Sequence, residues 1–155
     1  MIGKLNNLEI EEVLSEQIIG RIGCHADDKT YVVPLSYAYD GKCVYGRTFE
    51  GLKTDLMRKN PKVCFEVEVM DNMANWKSVI AWGNFKELTE VDERNEGIQK
   101  LMARKISGFA SKTVQLSSSW PFSSVEDLDK LEGIIFSISL HEKSGRFEKG
   151  ENVIF

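Results

Sequence analysis

At 155 residues with 42% hydrophobic content, the chain can bury the core of one domain spanning 1–155 and is too apolar to be largely disordered. A formal net charge of −4 without a basic cluster excludes a general nucleic-acid binder, which needs a basic face to meet phosphates. The start MIGKLNNLEIEEVL lacks an apolar core of signal-peptide length, and no later stretch reaches the roughly 20 apolar residues of a membrane span. A soluble, cytoplasmic protein with no membrane partner is expected.

Asn6 or Asn7 is placed to cap a first helix from Leu8 to Glu16, with Leu8, Val13 and Leu14 facing inward. QIIGRIGCHA then reads as a strand, Ile18, Ile22 and Cys24 alternating with Ile19, Arg21 and His25, and ends at the Asp27-Asp28-Lys29 turn. The next stretch, TYVVPLSYAYDGKCVYGRTFEGLK, is the most informative in the chain. Two apolar runs flank Asp40-Gly41, a dipeptide suited to a two-residue hairpin turn, which pairs Tyr39 with Lys42 and Tyr37 with Val44. One face of this hairpin is bulky and apolar; the other sets Ala38, Ser36 and Pro34 against Cys43, Tyr45 and Arg47. Pro34 lacks an amide donor, so its strand is expected at an edge or bulge there.

A short helix from about Gly51 to Asn60 follows, with Leu52 and Leu56 on one face and Pro61 as its stop. The free amides and positive dipole end of its first turn attract anions, and Arg47 and Lys53 add charge nearby. A phosphate monoester suits this place; an ordinary amphipathic helix with solvated cations explains the same residues.

PKVCFEVEVM alternates Val63, Phe65, Val67 and Val69 with Cys64, Glu66 and Glu68, a strand covered on one face, the two glutamates being its solvated side. MDNMAN is expected as a loop. NWKSVIAWGNFKEL is a long strand in which Gly83 marks a bulge or bend. Thr89 opens a helix to about Lys105 with Val91, Ile98, Leu101, Met102 and Ile106 on one side. From Ser107 to Lys130 the composition is polar and irregular, with room for a short helix at Val125 to Leu131. Gly133 to His141 alternates Ile134, Phe136, Ile138 and Leu140 as a closing strand before a charged tail. The three cysteines lack C-x-x-C spacing and read as reduced core thiols, with no metal site. Short strands linked mainly by turns point to an antiparallel barrel with helices at its ends.

The segments TYVVPLSYAYDGKCVYGRTFEGLK, RKNPKVCFEV and NWKSVIAWGNFKEL, in that order, resemble the flavin-nucleotide-binding split barrels related to pyridoxamine 5′-phosphate oxidase. The small nitroimidazole-reductase-like proteins are the branch they resemble most, over roughly Leu8 to Leu88. The resemblance implies a mainly β fold, a six-stranded antiparallel split β-barrel of the FMN-binding type with flanking helices. It also implies a homodimer holding FMN at the subunit interface and an oxidoreductase passing electrons from a reduced nicotinamide or other small-molecule donor to a small acceptor such as a nitroaromatic or quinone.

In such a barrel the strand matching Tyr31 to Ser36, and with it Val33, Pro34, Leu35 and Ser36, runs along the isoalloxazine ring and offers it main-chain groups. The family's phosphate-binding positions match Arg47, Thr48 and Lys53, and a polar residue facing the flavin matches Ser78, with Trp76 close enough to border the ring. Relatives often carry His at the position of Arg47, so chemistry assigned to that His does not transfer. Where the oxidases have a second basic residue this chain has Leu52, and HEKSGRFEKGENVIF has no clear match to their substrate-phosphate motif. Oxidation of pyridoxamine phosphate is therefore not expected. The rival readings are a flavin-binding sensor or store without turnover, and a related barrel binding haem or a deazaflavin.

Overall fold

The computed structural model describes residues 1–104 and 128–150. In chain order these form β1 (Ile2–Lys4), α1 (Asn7–Glu16), β2 (Ile19–Ala26), β3 (Lys29–Tyr39), β4 (Cys43–Thr48), α2 (Leu52–Lys59), β5 (Lys62–Asn72), β6 (Asn75–Glu87), α3 (Val91–Ala103) and β7 (Ile134–Lys149). All pairings are antiparallel, in the order β1-β7-β4-β3-β2-β5-β6, and β6 pairs with β7 as well. That last pairing closes six strands into a ring, the split barrel implied by the resemblance. The seventh, β1, was not foreseen.

Closure depends on the length of β7. Its first part bonds β4 from Thr48↔Ile134 to Cys43↔Ser139, while β6 follows its other side from Glu87↔Phe136 to Asn75↔Lys149. The strand was expected to stop near His141 and give way to a charged tail. Instead it runs to Lys149, because Glu142, Arg146 and Glu148 fall on one side while on the other Gly145 is buried, Phe147 packs on the core and Lys143 pairs with Glu11. β1 lies along this extension, with Ile2 opposite Glu148. The register slips between Trp82↔Glu142 and Gly83↔Leu140, so His141 is the extra residue of a bulge at the expected glycine. A side chain at Gly83 would put its Cβ 2.4 Å from the Ser139 carbonyl oxygen.

Inside the ring lie Ile22, Leu35, Tyr37, Val44, Phe65, Val67, Val79, Phe136 and Ile138, together with Ile10, Val13 and Leu14 of α1 and Leu56 and Met57 of α2. The intervening residues Ala38 and Tyr45, on the outer face of β3 and β4, pack with Ile135 against Ile98 and Leu101 of α3. The barrel thus has a core of its own and a second apolar layer under α3.

Several expectations need correction. The α1 phase is set by Asn6, whose Oδ1 accepts the Glu9 amide at 2.9 Å while Glu9 returns a carboxylate oxygen to the Asn6 amide at 2.8 Å. Ile10, Val13 and Leu14 then face inward, and Leu8 is 82% exposed. Gly51 caps α2 rather than beginning it, and Thr54, Leu56 and Met57 are its buried residues, with Leu52 exposed. Glu90, not Thr89, precedes α3; Val91 is exposed, while Ile98, Leu101 and Met102 pack as expected. The loop expected at 70–75 contracts to Met73 and Ala74 between β5 and β6.

The hairpin register moves by two residues, Tyr39 pairing with Val44 and Tyr37 with Gly46. Asp40 Oδ1 accepts the amides of Lys42 and Cys43, which holds Asp40 opposite Cys43 and leaves Gly41 and Lys42 as the turn. A shift of two preserves the faces, so the division into an apolar and a mixed side stands. Ile106, Trp120 and the first three residues of the helix expected at Val125 to Leu131 lie outside the described residues. Among those described, no helix is long and apolar enough to cross a membrane.

The buried Tyr37 hydroxyl donates to the Leu14 carbonyl oxygen at 2.7 Å, tying β3 to the end of α1. Tyr37→Phe is expected to lower stability by about 1–2 kcal/mol by orphaning that buried acceptor. Urea unfolding of the two proteins measures it; a loss below roughly 0.3 kcal/mol would show that water satisfies the carbonyl.

Candidate functional site

β3 has 11 residues and β4 has six, and the site follows from that mismatch. β3 pairs with β2 from Lys29 to Ser36, but with β4 only from Tyr37 to Tyr39. Beyond Gly46 the chain stays with β7, Arg47 opposite Ile135 and Thr48 opposite Ile134. Residues 29–36 therefore present an edge that β4 does not cover. The Tyr37 amide donates to the Ile18 carbonyl at 2.9 Å, which turns the polar groups of odd-numbered residues toward β2. The even-numbered Val32, Pro34 and Ser36 consequently aim theirs at the open edge. Pro34 offers only a carbonyl there, and its missing amide disturbs no ladder, as the edge expected from the sequence requires.

Along this edge Leu35 is buried and Val33 packs on the core, whereas Pro34 is exposed and Ser36 half-buried on the outer face. Arg47, at the end of β4, donates from Nε to the Glu132 carbonyl at 2.9 Å and lies 5.0 Å from the Phe49 ring centroid. Burial, and then the neighbouring Arg94 charge, hold its guanidinium below the usual arginine range. Thr48 is half-buried, its hydroxyl 3.4 Å from the Phe49 carbonyl.

Lys53 occupies the first turn of α2, whose amides at Leu52, Lys53 and Thr54 have no acceptor within the helix. It is half-buried and makes no hydrogen bond or ion pair with a described residue. Burial pushes its ammonium below the ordinary 10.5, with Cys24 nearby as the smaller, opposing influence. A half-desolvated cation without a counter-charge is an unfavourable arrangement that an anion would relieve.

Val33 to Ser36 thus lie on the edge of β3 that β4 leaves, Arg47 and Thr48 end β4 against β7, and Lys53 follows in the first turn of α2, which packs on β2. Ser78 and Trp76 are elsewhere, on β6, separated from β3 by β2 and β5. Ser78 donates to Glu66 Oε1 at 3.0 Å, and Trp76 Nε1 donates to Glu148 at 3.0 Å. Glu66 and Glu68, expected as a freely solvated face, both pair with Arg21, at 3.2 and 3.0 Å. On this outer face Ile19, Val32, Ile80 and Trp82 are exposed, beside an 810 Å³ groove whose lining includes His25, Cys64, Trp82 and His141.

Two arginines were missed. Arg104, at the end of α3, donates to Ser36 Oγ at 2.5 Å, and its buried Nε has no partner among the described residues. Arg94 donates to the carbonyl oxygens of Leu131, Leu128 and Gly133 at 2.5, 3.3 and 3.5 Å. Both reach residues more than thirty positions away, so spacing along the helix carried no signal of either contact.

The family model of pyridoxamine 5′-phosphate oxidase matches residues 6–126, well beyond the segments that carried the resemblance. The chain belongs to this family. A fellow member in sequence is an uncharacterized protein of Rhizobium meliloti, 36% identical over 80 residues; the match spans about half of each, 52% of this chain and 53% of that one. Among solved structures, a protein of Mesorhizobium loti described as FAD-binding is 26% identical with a TM-score of 0.72, over 96% of this chain and 99% of its own. A protein of Bacteroides thetaiotaomicron described as concerned with 5-nitroimidazole antibiotic resistance shares the fold at 14% identity and a TM-score of 0.71, over 95% of this chain and 87% of its own.

The state of Lys53 is directly measurable. A lysine whose folded pKa lies below its unfolded value opposes folding while protonated, and this burden lifts as pH rises through the folded pKa toward 10.5. Ligand-free Lys53→Met is therefore expected to be at least as stable as the parent at pH 7, with its advantage shrinking as pH approaches 10.5. Paired thermal melts across that range check it, and an advantage that grows with pH would contradict the assignment.

Proposed function

We propose that this protein binds FMN in the split between β3 and β4 and serves as an FMN-dependent oxidoreductase. Electrons would pass from a reduced nicotinamide or another small donor to a small acceptor such as a nitroaromatic or quinone. The observation that carries the reading is Lys53, a half-buried cation without a described partner, set in the first turn of the helix that follows β4 and packs on β2. Family membership and the full-length likeness to a protein described as FAD-binding support a flavin.

The residues present fit such a group. Lys53, the α2 amides, Thr48 and Arg47 supply the charge and donors that a phosphate monoester needs. Val32, Pro34 and Ser36 supply main-chain groups for the edge of a flat heteroaromatic ring, and Leu35 and Val33, packed on the core, keep that strand rigid. A bound flavin would supply the electron chemistry, the protein contributing position and electrostatics. No side chain has to act as an acid.

A homodimer is part of the proposal. The exposed Ile19, Val32, Ile80 and Trp82 flank the Arg21–Glu66–Glu68 cluster on an outer face whose apolar area suits burial against a second copy. Ser78 and Trp76 stand outside the split of their own chain, so a role beside the flavin assigns them to the cofactor held by a second copy.

Visible spectra of the protein mixed with FMN, FAD and riboflavin test the reading. Bound oxidised-flavin bands that bleach with a nicotinamide and return with a nitroaromatic or quinone are expected. A protein that leaves all three flavins unperturbed would sink the proposal. Flavin bands that no donor bleaches would reduce the protein to a flavin store, and tighter FAD would replace the mononucleotide with the dinucleotide. Arg47→Ala combined with Lys53→Ala should weaken FMN by tenfold or more, about 1.4 kcal/mol. Riboflavin should change far less, and equal losses would overturn the phosphate assignment.

A further inference from the structure

Arg47 approaches the split from a foundation that another part of the chain provides. The segment 128–133 leads into β7 directly beside the end of β4, and its carbonyl oxygens are taken by two guanidiniums in turn. Arg94 receives those of Leu128, Leu131 and Gly133, and Arg47 that of Glu132. The turn closes through Gly133, whose φ of +104° is a left-handed conformation favouring glycine. A Cβ there would lie 2.9 Å from the Thr48 carbonyl oxygen and 3.4 Å from Arg47 Nε, so the absence of a side chain lets the turn sit against both residues.

A guanidinium on a flexible stem loses rotamer freedom when it grips a phosphate. Anchoring one nitrogen to a fixed carbonyl removes that freedom beforehand and sets the plane of the fork, which is what bidentate recognition needs. The anchor of Arg47 is the Glu132 carbonyl, and what fixes that carbonyl is Arg94 on either side of it. Arg94 also adds a second positive charge close to Arg47, favouring a phosphate dianion over an uncharged ligand.

We infer that Arg94 and Gly133 are positioning residues of the phosphate subsite, holding the 128–133 turn so that Arg47 is presented to a phosphomonoester. This inference rests on the proposed role of Arg47. Its readout is the ratio of riboflavin to FMN dissociation constants, which a purely structural role would leave unchanged.

The experiment titrates FMN and riboflavin into the full chain and into Arg47→Ala, Arg94→Met, Arg94→Lys, Gly133→Ala and the Arg47→Ala/Arg94→Met double variant. Arg94→Met and Gly133→Ala are each expected to lower the ratio by about fivefold, with riboflavin changing less than about twofold. Arg94→Lys is expected to stay low, because an ammonium cannot span three carbonyls as the guanidinium does. The double variant should be no worse than Arg47→Ala alone, since both act through one group. Should Arg94→Met fail to fold, Gly133→Ala carries the same test. Equal losses for both ligands, full rescue by lysine, or additive effects in the double variant would overturn the positioning role. A ratio sensitive to Arg47→Ala but to neither Arg94→Met nor Gly133→Ala would do the same while leaving the phosphate reading intact. If Arg47→Ala itself leaves the ratio unchanged, the phosphate reading fails first.

Discussion

A β-strand must find partners for the polar groups on both of its edges; β2 meets β5 only from Arg21 to Gly23, and on the other side of the ring residues 29–36 of β3 are, among the described residues, an exception that β4 leaves uncovered. The exception follows from lengths. β7, with 16 residues, serves β4 and β6 at once and carries β1 beside its far half, so the ring closes through it. β4, with only six, follows β7 and abandons β3 after Gly46. Closing the ring through one long strand and opening it beside one short strand are therefore the same geometric fact. An edge left uncovered in this way either recruits another strand or binds something that can use its donors and acceptors.

Charge is distributed to match. The chain carries a formal charge of −4, yet Arg104 reaches Ser36 on the uncovered edge, Arg47 ends β4 with Arg94 close by, and Lys53 lies in the next helix turn. Elsewhere cations meet carboxylates: Arg21 with Glu66 and Glu68, Arg58 with Glu50 and Glu87, Lys86 with Glu93. Around the end of β4 and the end of α3, Arg47, Arg94 and Arg104 donate to backbone carbonyls, and Arg104 also to the Ser36 hydroxyl. Carbonyl dipoles hold a guanidinium in place without cancelling its charge, which preserves a positive local potential inside an acidic protein.

Much of this fold was legible because its signals are local. Val63, Phe65 and Val67 alternate with polar residues and are buried, Gly83 marks a real bulge, and Pro34 identified the uncovered edge. The hairpin turn was misread by two residues because Asp40 uses its side chain to cap the turn, an option that a dipeptide preference does not reveal. The extension of β7 was hidden by charged residues on both of its sides, since Lys143 shares the side of Gly145 and Phe147 and is accommodated there only by Glu11 and Tyr39 across the fold. Lys53 and Arg47 stood out through helix position and resemblance, whereas Arg94 and Arg104 contribute by contacts across the fold, for which sequence spacing has no code. Ser78 and Trp76 show the reverse problem: the resemblance named them together with β3, yet the fold sets them on β6, with β2 and β5 between.

The unfavourable electrostatics of Lys53 link stability to occupancy. In the free protein its half-buried ammonium lacks a described partner, so part of the barrel's stability is forfeited at neutral pH. A bound anion reverses that sign: it restores the favourable state of the ammonium and, by binding only the folded chain, stabilises it further by mass action. A site built in this way is least content when empty. Its residues are then better understood as favouring an anion over an uncharged ligand than as a reaction centre, and that preference is the ground on which the proposed phosphate site stands.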